Sequence, residues 1–493
     1  NRSRLSLSLY SGRDRFSTKD DCYYEYSTDS NGNSWSDHDI TRMNMRWGNR
    51  NVALNWNYVF SPKLFANFNA TFTQNYSRYN YIDDDSYGKE GEKQVSFLSH
   101  GYRSMIYDTG ADAQFDYRPS SRHHIRFGTA YTWHVFRPQT QAQRSIVGTA
   151  EKNDTISSSG SNRNVSHELN LFAEDSWRLA PQWSLNAGFN ASLFSTDAKT
   201  FMRFDPRVAM RWQMSRTMAA KLSYTMMTQY VHRITNSFLD LPTDYWVSTT
   251  AKLEPMRAWQ LTAGLYAEPS SHLSLSVEAY YKQTNHMLQY ASWAGIEPPA
   301  DHWDENVMDG RGKAYGIEAD VHYHTTRLDV AAAYTLSWNK RHYDEWYDGW
   351  FADKFDNRHK LNITMQWAVT KKINLTAAFT MRSGNRMTVP TQIAPMPDTP
   401  GGSNKYGNYS YDVNTYIYER PNNVSLPMYH RLDLGADFHH TTKHGHERIW
   451  NVSIYNAYCH LNAMYVELKQ DWNGSALRAK APGFIPILPS VSY

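Results

Sequence analysis

Four histidines crowd the stretch "HHTTKHGH" at 439–446: His439, His440, His444 and His446. Imidazoles at such spacing can ligate zinc. The stretch falls at a short turn, so a surface histidine cluster is the stronger expectation. His322 and His324 lie two apart and share one strand face, predicted to point inward. They can touch a metal complex in transit, although a polar wall needs no such role. "DDD" at 83–85 offers carboxylates to calcium on an outer loop, against the plainer reading of a solvated acidic loop. Arg358 shares parity with Asn362 and Thr364. An inward arginine near the outer rim follows, which attracts an anionic ligand or closes a rim salt bridge. Cys22 and Cys459 are the only cysteines, which excludes a disulfide framework. There is no nucleophile elbow, P-loop, HExxH or paired-cysteine site. No catalytic residue, metal ligand or cofactor is assigned, and an enzyme is not expected.

Aromatic residues offer a different chemistry, recognition without bond making. The sequence holds 35 Tyr, 17 Trp and 20 Phe. "DYW" supplies Tyr245 and Trp246, and "RHYDEWYDGW" at 341–350 supplies His342, Trp346, Tyr347 and Trp350. The polar stretch 388–428 carries Tyr406, Tyr409, Tyr411, Tyr416 and Tyr418. Such rings are rigid and amphipathic and lose little rotamer entropy on binding. A sugar or a flat chelate can stack on them; interfacial anchoring, or a solvated lid, is the competing account.

The elements that position these groups follow from a period of two. In "HLSLSVEAYYKQTNHML" (272–288), Leu273, Leu275, Val277, Ala279 and Tyr281 alternate with Ser274, Ser276, Glu278, Tyr280 and Lys282. "SRLSLSLYSG" alternates Leu5, Leu7 and Leu9 with serines, and "VALNWNYVF" places Val52, Leu54, Trp56, Tyr58 and Phe60 on one face. Counted along the chain, the template gives roughly eighteen strands. Short, turn-rich connections such as "SPK" (61–63), "PSSR" (119–122) and "TKK" (370–372) alternate with long polar ones at 17–40, 140–163, 237–253, 290–312 and 388–428.

This alternation is the signature of an all-β, antiparallel up-and-down transmembrane β-barrel with short periplasmic turns and long outer loops. The mean hydropathy of −0.69 does not oppose it. A barrel wall needs only about 9 to 11 residues per crossing, alternately apolar. Aromatics near the strip ends, among them Trp56, Trp133, Trp177, Trp212, Trp367 and Trp450, suit the girdles at the two bilayer interfaces. With 51 Lys+Arg against 48 Asp+Glu, no nucleic-acid footprint follows, and no basic run or stripe shows in the linear sequence. A propeller would repeat every 40 to 50 residues or so, and no such repeat shows.

Several stretches carry a family resemblance: "MRWGNRNVALNWNYVFSPKLFAN" (45–67), "FDPRVAMRW" (204–212), "YTMMTQYVHRITNSFLDLPTDYWV" (224–247), "KLEPMRAWQLTAGL" (252–265), "VEAYYKQTNHM" (277–287), "AYGIEADV" (314–321), "FDNRHKLNI" (355–363), "MYHRLDLGADF" (428–438) and "IYNAYCHLNAMYV" (454–466). In order and spacing they resemble the barrel domain of TonB-dependent receptors, active transporters of Gram-negative outer membranes. The likeness covers nearly the whole chain and implies one barrel domain over 1–493. The family looks like a 22-stranded barrel filled by an N-terminal plug. It therefore implies that the plug and about four strands are absent here, and that the C-terminal end is slightly truncated. It further implies capture of a scarce, bulky ligand at the outer loops and import driven by the TonB energy-coupling complex, engaged through the missing N-terminal part. The implied partners are outer-membrane lipid and an unknown ligand: a siderophore, cobalamin, haem, an oligosaccharide or a peptide. The alternative is a passive porin-type channel, for which eighteen strands would be a complete barrel.

Overall fold

A pleated strand turns successive side chains to opposite faces, so the strips above can each serve two environments at once. The computed structural model describes every residue except 1, 27–33, 90–91, 138, 148–155, 160–162, 235–244, 291–302, 306, 396–413, 443–444, 464–465 and 471–476. Eighteen strands carry the up-and-down pattern. They are β1 (Ser3–Tyr26), β2 (Trp35–Ser61), β3 (Leu64–Lys89), β4 (Glu92–Tyr117), β5 (His123–Phe136), β6 (Asn164–Ala180), β7 (Trp183–Ser195), β8 (Thr200–Gln213) and β9 (Met218–Gln229). There follow β10 (Met256–Ser270), β11 (Leu273–Tyr290), β12 (Val307–His324), β13 (Leu328–Tyr343), β14 (His359–Thr370), β15 (Ile373–Arg382), β16 (Tyr429–Thr441), β17 (Glu447–Tyr455) and β18 (Leu488–Ser492). With three shorter loop strands they belong to one sheet of 21 strands. The only helical element among the described residues is a 3-10 turn, Trp303–Glu305.

The chain divides into two compact units. The first, residues 1–210, 224–259 and 285–310, contains β1 to β7. Here β2 pairs with β3 without interruption from Trp35 opposite Lys89 to Val59 opposite Phe65. The register puts like with like. Leu5, Leu7 and Leu9 lie opposite Trp56, Leu54 and Val52, which lie opposite Phe68, Ala70 and Phe72. Leu7, Leu54 and Phe72 are exposed although large and apolar. On the opposite face Asn55 meets Asn69, and Asn69 donates to Asp112 at 2.9 Å. The buried Glu174 lies between Arg126 and Arg207 on that polar face. An apolar face left open, with the polar face cross-linked, is the reverse of a soluble sandwich. It is what a wall between lipid and a wet lumen requires.

The second unit, residues 211–223, 260–284 and 311–493, repeats the arrangement through β12 to β18. Ile317 lies opposite Leu336 and Val321 opposite Ala332, while Asp320 and His322 occupy the other face. A cavity of about 270 Å³ opens at the turn end of this polar face, with Arg211, Arg216, Glu268, Asp320 and His322 in its lining. His322 is engaged by Asp329 at 3.0 Å and stacks on His324. His439 is held by Glu447 at 2.8 Å beside the turn at 442–446. Among the described residues no three metal-ligating side chains converge.

Two expectations about loops are corrected. The span 17–40 is mostly strand, since β1 runs to Tyr26 and β2 starts at Trp35. Asp83, Asp84 and Asp85 are not on a loop but inside β3, opposite Thr41, Ile40 and Asp39. Beyond the bilayer both faces meet water, so the apolar alternation ends while backbone pairing continues. Pleating also turns Asp84 away from its two neighbours, so the triple does not converge on one ion. Asp83 and Asp85 instead face other carboxylates. Burial first, then hydrogen bonds with Asp39 and Asp37, raise their pKa values above the ordinary carboxylate range.

If Leu54 touches hydrocarbon, Leu54→Arg should destabilise the barrel in lipid vesicles by about 2–4 kcal/mol, while Asn55→Ser on the other face costs under about 1 kcal/mol. Reversible unfolding in urea, followed by tryptophan emission, measures both; equal costs would contradict the facing.

Candidate ligand-binding site

Within the second unit, β13 turns back through Asp344–Trp346 into the short strand Tyr347–Ala352. The Trp346 amide donates to the Tyr343 carbonyl at 3.1 Å and closes the turn. Gly349 sits at φ +121°, where a side chain would be strained. Beneath the hairpin Tyr343 and Phe351 are buried, and Trp346 and Tyr347 pack edge-on against Phe351. On top, His342 stacks on Trp350 with centroids 5.5 Å apart. The His342 imidazole is oriented by the Gly349 carbonyl at 2.8 Å and by Asp344 at 2.7 Å. The Lys313 ammonium lies 3.9 Å from the Trp350 ring centroid, a cation–π distance. Thus four of the expected contact residues, His342, Trp346, Tyr347 and Trp350, come together. Trp346 and Tyr347 are half-buried by their own packing, and Trp350 remains 40% exposed.

This hairpin stands on two buried carboxylates. Asp353 pairs with Arg341 and accepts from the Phe355 amide at 2.8 Å. Asp356 accepts from Arg358 at 3.0 Å and from the Asn339 amide at 2.9 Å, with Arg386 at 3.3 Å. The Arg358 guanidinium also lies 4.7 Å from the Trp338 ring centroid. Removing one partner of such a desolvated set leaves an uncompensated charge, which is costly. Arg358 is therefore committed to the rim salt bridge and the ring. Nothing in the sequence marked Lys313, Asp353 or Asp356 as neighbours of the aromatics; register and loop closure bring them there.

In the first unit, short strands Val231–Ile234 and Tyr245–Ser248 pair as an outer hairpin, with Arg233 opposite Trp246. Val247 and Thr249 are buried, and Trp246 is half-buried. His232 is buried with Nε2 3.2 Å from the Thr249 hydroxyl. Nearby, the Tyr230 ring lies parallel to Phe194 at 4.5 Å, and its hydroxyl is 2.7 Å from Ser192. His134, at the outer end of β5, lies between Asp108 at 2.7 Å and Glu168 at 3.4 Å, a cluster the sequence did not signal. Tyr245 and Tyr416 have strand backbones, in Tyr245–Ser248 and Asn414–Ile417. Tyr406, Tyr409 and Tyr411 lie outside the described residues. The structure thus gathers one aromatic group and does not bring Trp246 into the same unit.

A wall with one lipid-facing side, short turns at one end and longer connections at the other defines an outer-membrane β-barrel. The comparisons with known proteins agree. The profile described as "TonB dependent receptor-like, beta-barrel" matches residues 1–457, and the chain belongs to that family. Among solved structures, the ferripyoverdine receptor of Pseudomonas aeruginosa shares 11% identity at a TM-score of 0.54, over 97% of this chain and 70% of that one. The outer membrane transporter YddB from Escherichia coli shares 10% at 0.52, over 97% and 74%. The siderophore receptor PiuA from Acinetobacter baumannii shares 9% at 0.51, over 99% and 81%. No protein of curated function matches. The protein is an outer-membrane receptor of the transporter class, which disfavours the porin alternative.

Burial lowers the His232 pKa to about 4, so the imidazole is neutral in the folded hairpin. An unfolded histidine titrates near 6.5, so the unfolded state binds more protons below that value. Stability of this outer hairpin is full above pH ~6.5 and falls as pH drops towards 4, by about 3 kcal/mol. Amide protection factors at 231–249, corrected for intrinsic exchange, should fall across that window, and His232→Asn should flatten their pH dependence. A wild-type hairpin equally protected at pH 4.5 and 7.5 contradicts a neutral buried His232.

Proposed function

We propose that the His342–Trp350–Lys313 group is a first contact for the imported ligand, and that this ligand is a bulky, flat or aromatic chelate carrying negative charge. The observation that carries the reading is the half-open Trp350 ring, with a cation over it and an oriented imidazole beside it. Such a group offers stacking to a planar ligand and charge to an anionic one. The buried Asp353 and Asp356 networks support it, because a rigid platform loses little entropy on binding. Likeness to a ferripyoverdine receptor and a siderophore receptor makes a ferric chelate the first choice, ahead of cobalamin, haem, an oligosaccharide or a peptide. Import then draws on TonB-coupled energy through a plug domain of the kind the family carries. Tyr245, Trp246, Tyr406, Tyr409, Tyr411 and Tyr416 are the further ligand-contact candidates of this reading.

The test uses cells whose only such receptor is the full-length protein. A panel of radio-iron chelates, labelled cyanocobalamin and haem is offered with and without a working TonB complex. One chelate is expected to accumulate only in coupled cells. Trp350→Ala should weaken its binding about 5- to 10-fold, the loss of about 1–1.4 kcal/mol of ring contact. Accumulation without coupling, or unchanged binding by the variant, overturns the reading.

A further inference from the structure

The pairing of β1 to β4 aligns residues that the linear sequence scatters. Arg15 lies opposite Arg46, Arg46 opposite Arg78, and Arg78 opposite Arg103. The four make one row across four strands, all within the first unit. With strands about 4.8 Å apart, the row is about 14 Å long. The linear sequence, which shows no basic stripe, is corrected here: the cations are far apart in the chain and adjacent across the sheet.

Parity decides which way the row faces. Arg15 shares its face with Leu5, Leu7 and Leu9, and Arg46 with Val52, Leu54 and Trp56. Arg78 shares its face with Phe68 and Phe72. The row is thus on the lipid side of the wall, away from the lumen. It stands six residues beyond the apolar row Leu9–Val52–Phe72, at the end opposite the short turn at 61–63. At ~3.3 Å per residue and a tilt of about 45°, that places it about 14 Å above the last apolar row on the extracellular side. Arg13 and Arg50 occupy the same face in the interval between.

The row is electrostatically incomplete. Like charges directly opposite one another destabilise a ladder. None of the four arginines forms an ion pair among the described residues. The first carboxylates on this face, Asp21 and Asp84, come three side-chain rows further out, and Asp21 already pairs with Lys19 at 2.5 Å and His38 at 2.8 Å. Arg15, Arg78 and Arg103 are exposed. A row of guanidinium groups about 14 Å beyond the last apolar row stands in the headgroup layer, where anionic groups match it.

We propose that this row binds the phosphate groups of the phosphorylated glycolipid that fills the outer leaflet, lipopolysaccharide. Guanidinium forks take phosphate oxygens two at a time, and basic clusters beside an apolar span recognise lipid headgroups. The acyl chains lie against the Leu9–Val52–Phe72 surface while Arg50, Arg13 and then the row meet the headgroup. The inference rests on the lipid-facing reading of the wall and not on the ligand assigned to Trp350.

The experiment uses the full-length receptor extracted from outer membranes. Glycolipid retained per protein is counted by native mass spectrometry for wild type, for the Arg15→Gln, Arg46→Gln, Arg78→Gln and Arg103→Gln combination, and for the matching lysine combination. Wild type is expected to retain glycolipid, the glutamine variant at least 5-fold less, and the lysine variant an intermediate amount. Re-adding enzymatically dephosphorylated glycolipid should restore no more binding to wild type than the glutamine variant shows. Inorganic phosphate alone should not displace the lipid at millimolar concentration. Equal retention by all three proteins, equal binding of the dephosphorylated lipid, or displacement by free phosphate would each overturn the proposal. In glycolipid-free detergent the glutamine variant should melt no lower than wild type, because repulsion within the row is gone. A variant that melts lower there assigns the arginines a structural role and also overturns it.

Discussion

The structure depends on the contact between alternate apolar side chains and hydrocarbon. Inside a bilayer no water satisfies the backbone, so strands must pair along their length, and only a helix or a paired β wall can cross. Once the wall is pleated, each strand has one side chain in two free to serve the lumen. That division explains how a chain of mean hydropathy −0.69 lives in a membrane. It also explains why Leu5, Leu7 and Leu9 lie in register with Trp56, Leu54 and Val52 while Asn55 bonds to Asn69 behind them. A single-residue slip would put asparagine into lipid and leucine into water, so the register is strongly specified.

Beyond the bilayer the constraint relaxes, and the strands use the freedom differently. In β1 to β4 pairing continues well outward and assembles an acidic face from Asp37, Asp39, Asp83 and Asp85 on one side and a row of arginines on the other. At the β13 hairpin the chain instead folds on itself over Asp353 and Asp356, each desolvated and each answered by arginine and backbone donors. Such sets lock a loop because releasing any partner strands a buried charge. The aromatics packed on that hairpin inherit its rigidity.

Membrane crossings were legible in the sequence because a half-buried strand writes its environment at every second residue, as Val52 to Phe60 show. Family membership was legible from stretches such as "VEAYYKQTNHM" and "FDNRHKLNI". The outer extensions were not, since Thr18 to Tyr26 meet water on both sides and lose the alternation while keeping their partners. For the same reason Asp83 to Asp85 read as a loop. Clusters made by pairing were invisible for a different reason. Arg15, Arg46, Arg78 and Arg103 become neighbours only once three registers are known, and Lys313 reaches Trp350 only through the β12–β13 pairing. The grouping of His342, Trp346, Tyr347 and Trp350 was legible because all four lie in one short stretch.

The facing of β2 is the point on which the rest turns. Spin labels placed singly at positions 52 to 58 of the full-length receptor in lipid vesicles report it directly, through relaxation by oxygen, which partitions into lipid, and by a water-soluble nickel chelate. Labels at 52, 54, 56 and 58 should be relaxed mainly by oxygen and those at 53, 55 and 57 mainly by nickel. Uniform relaxation by nickel at all seven positions, or protection of the even positions from both reagents, would show those side chains buried against protein or open to water, and the account of a lipid-facing wall would be wrong.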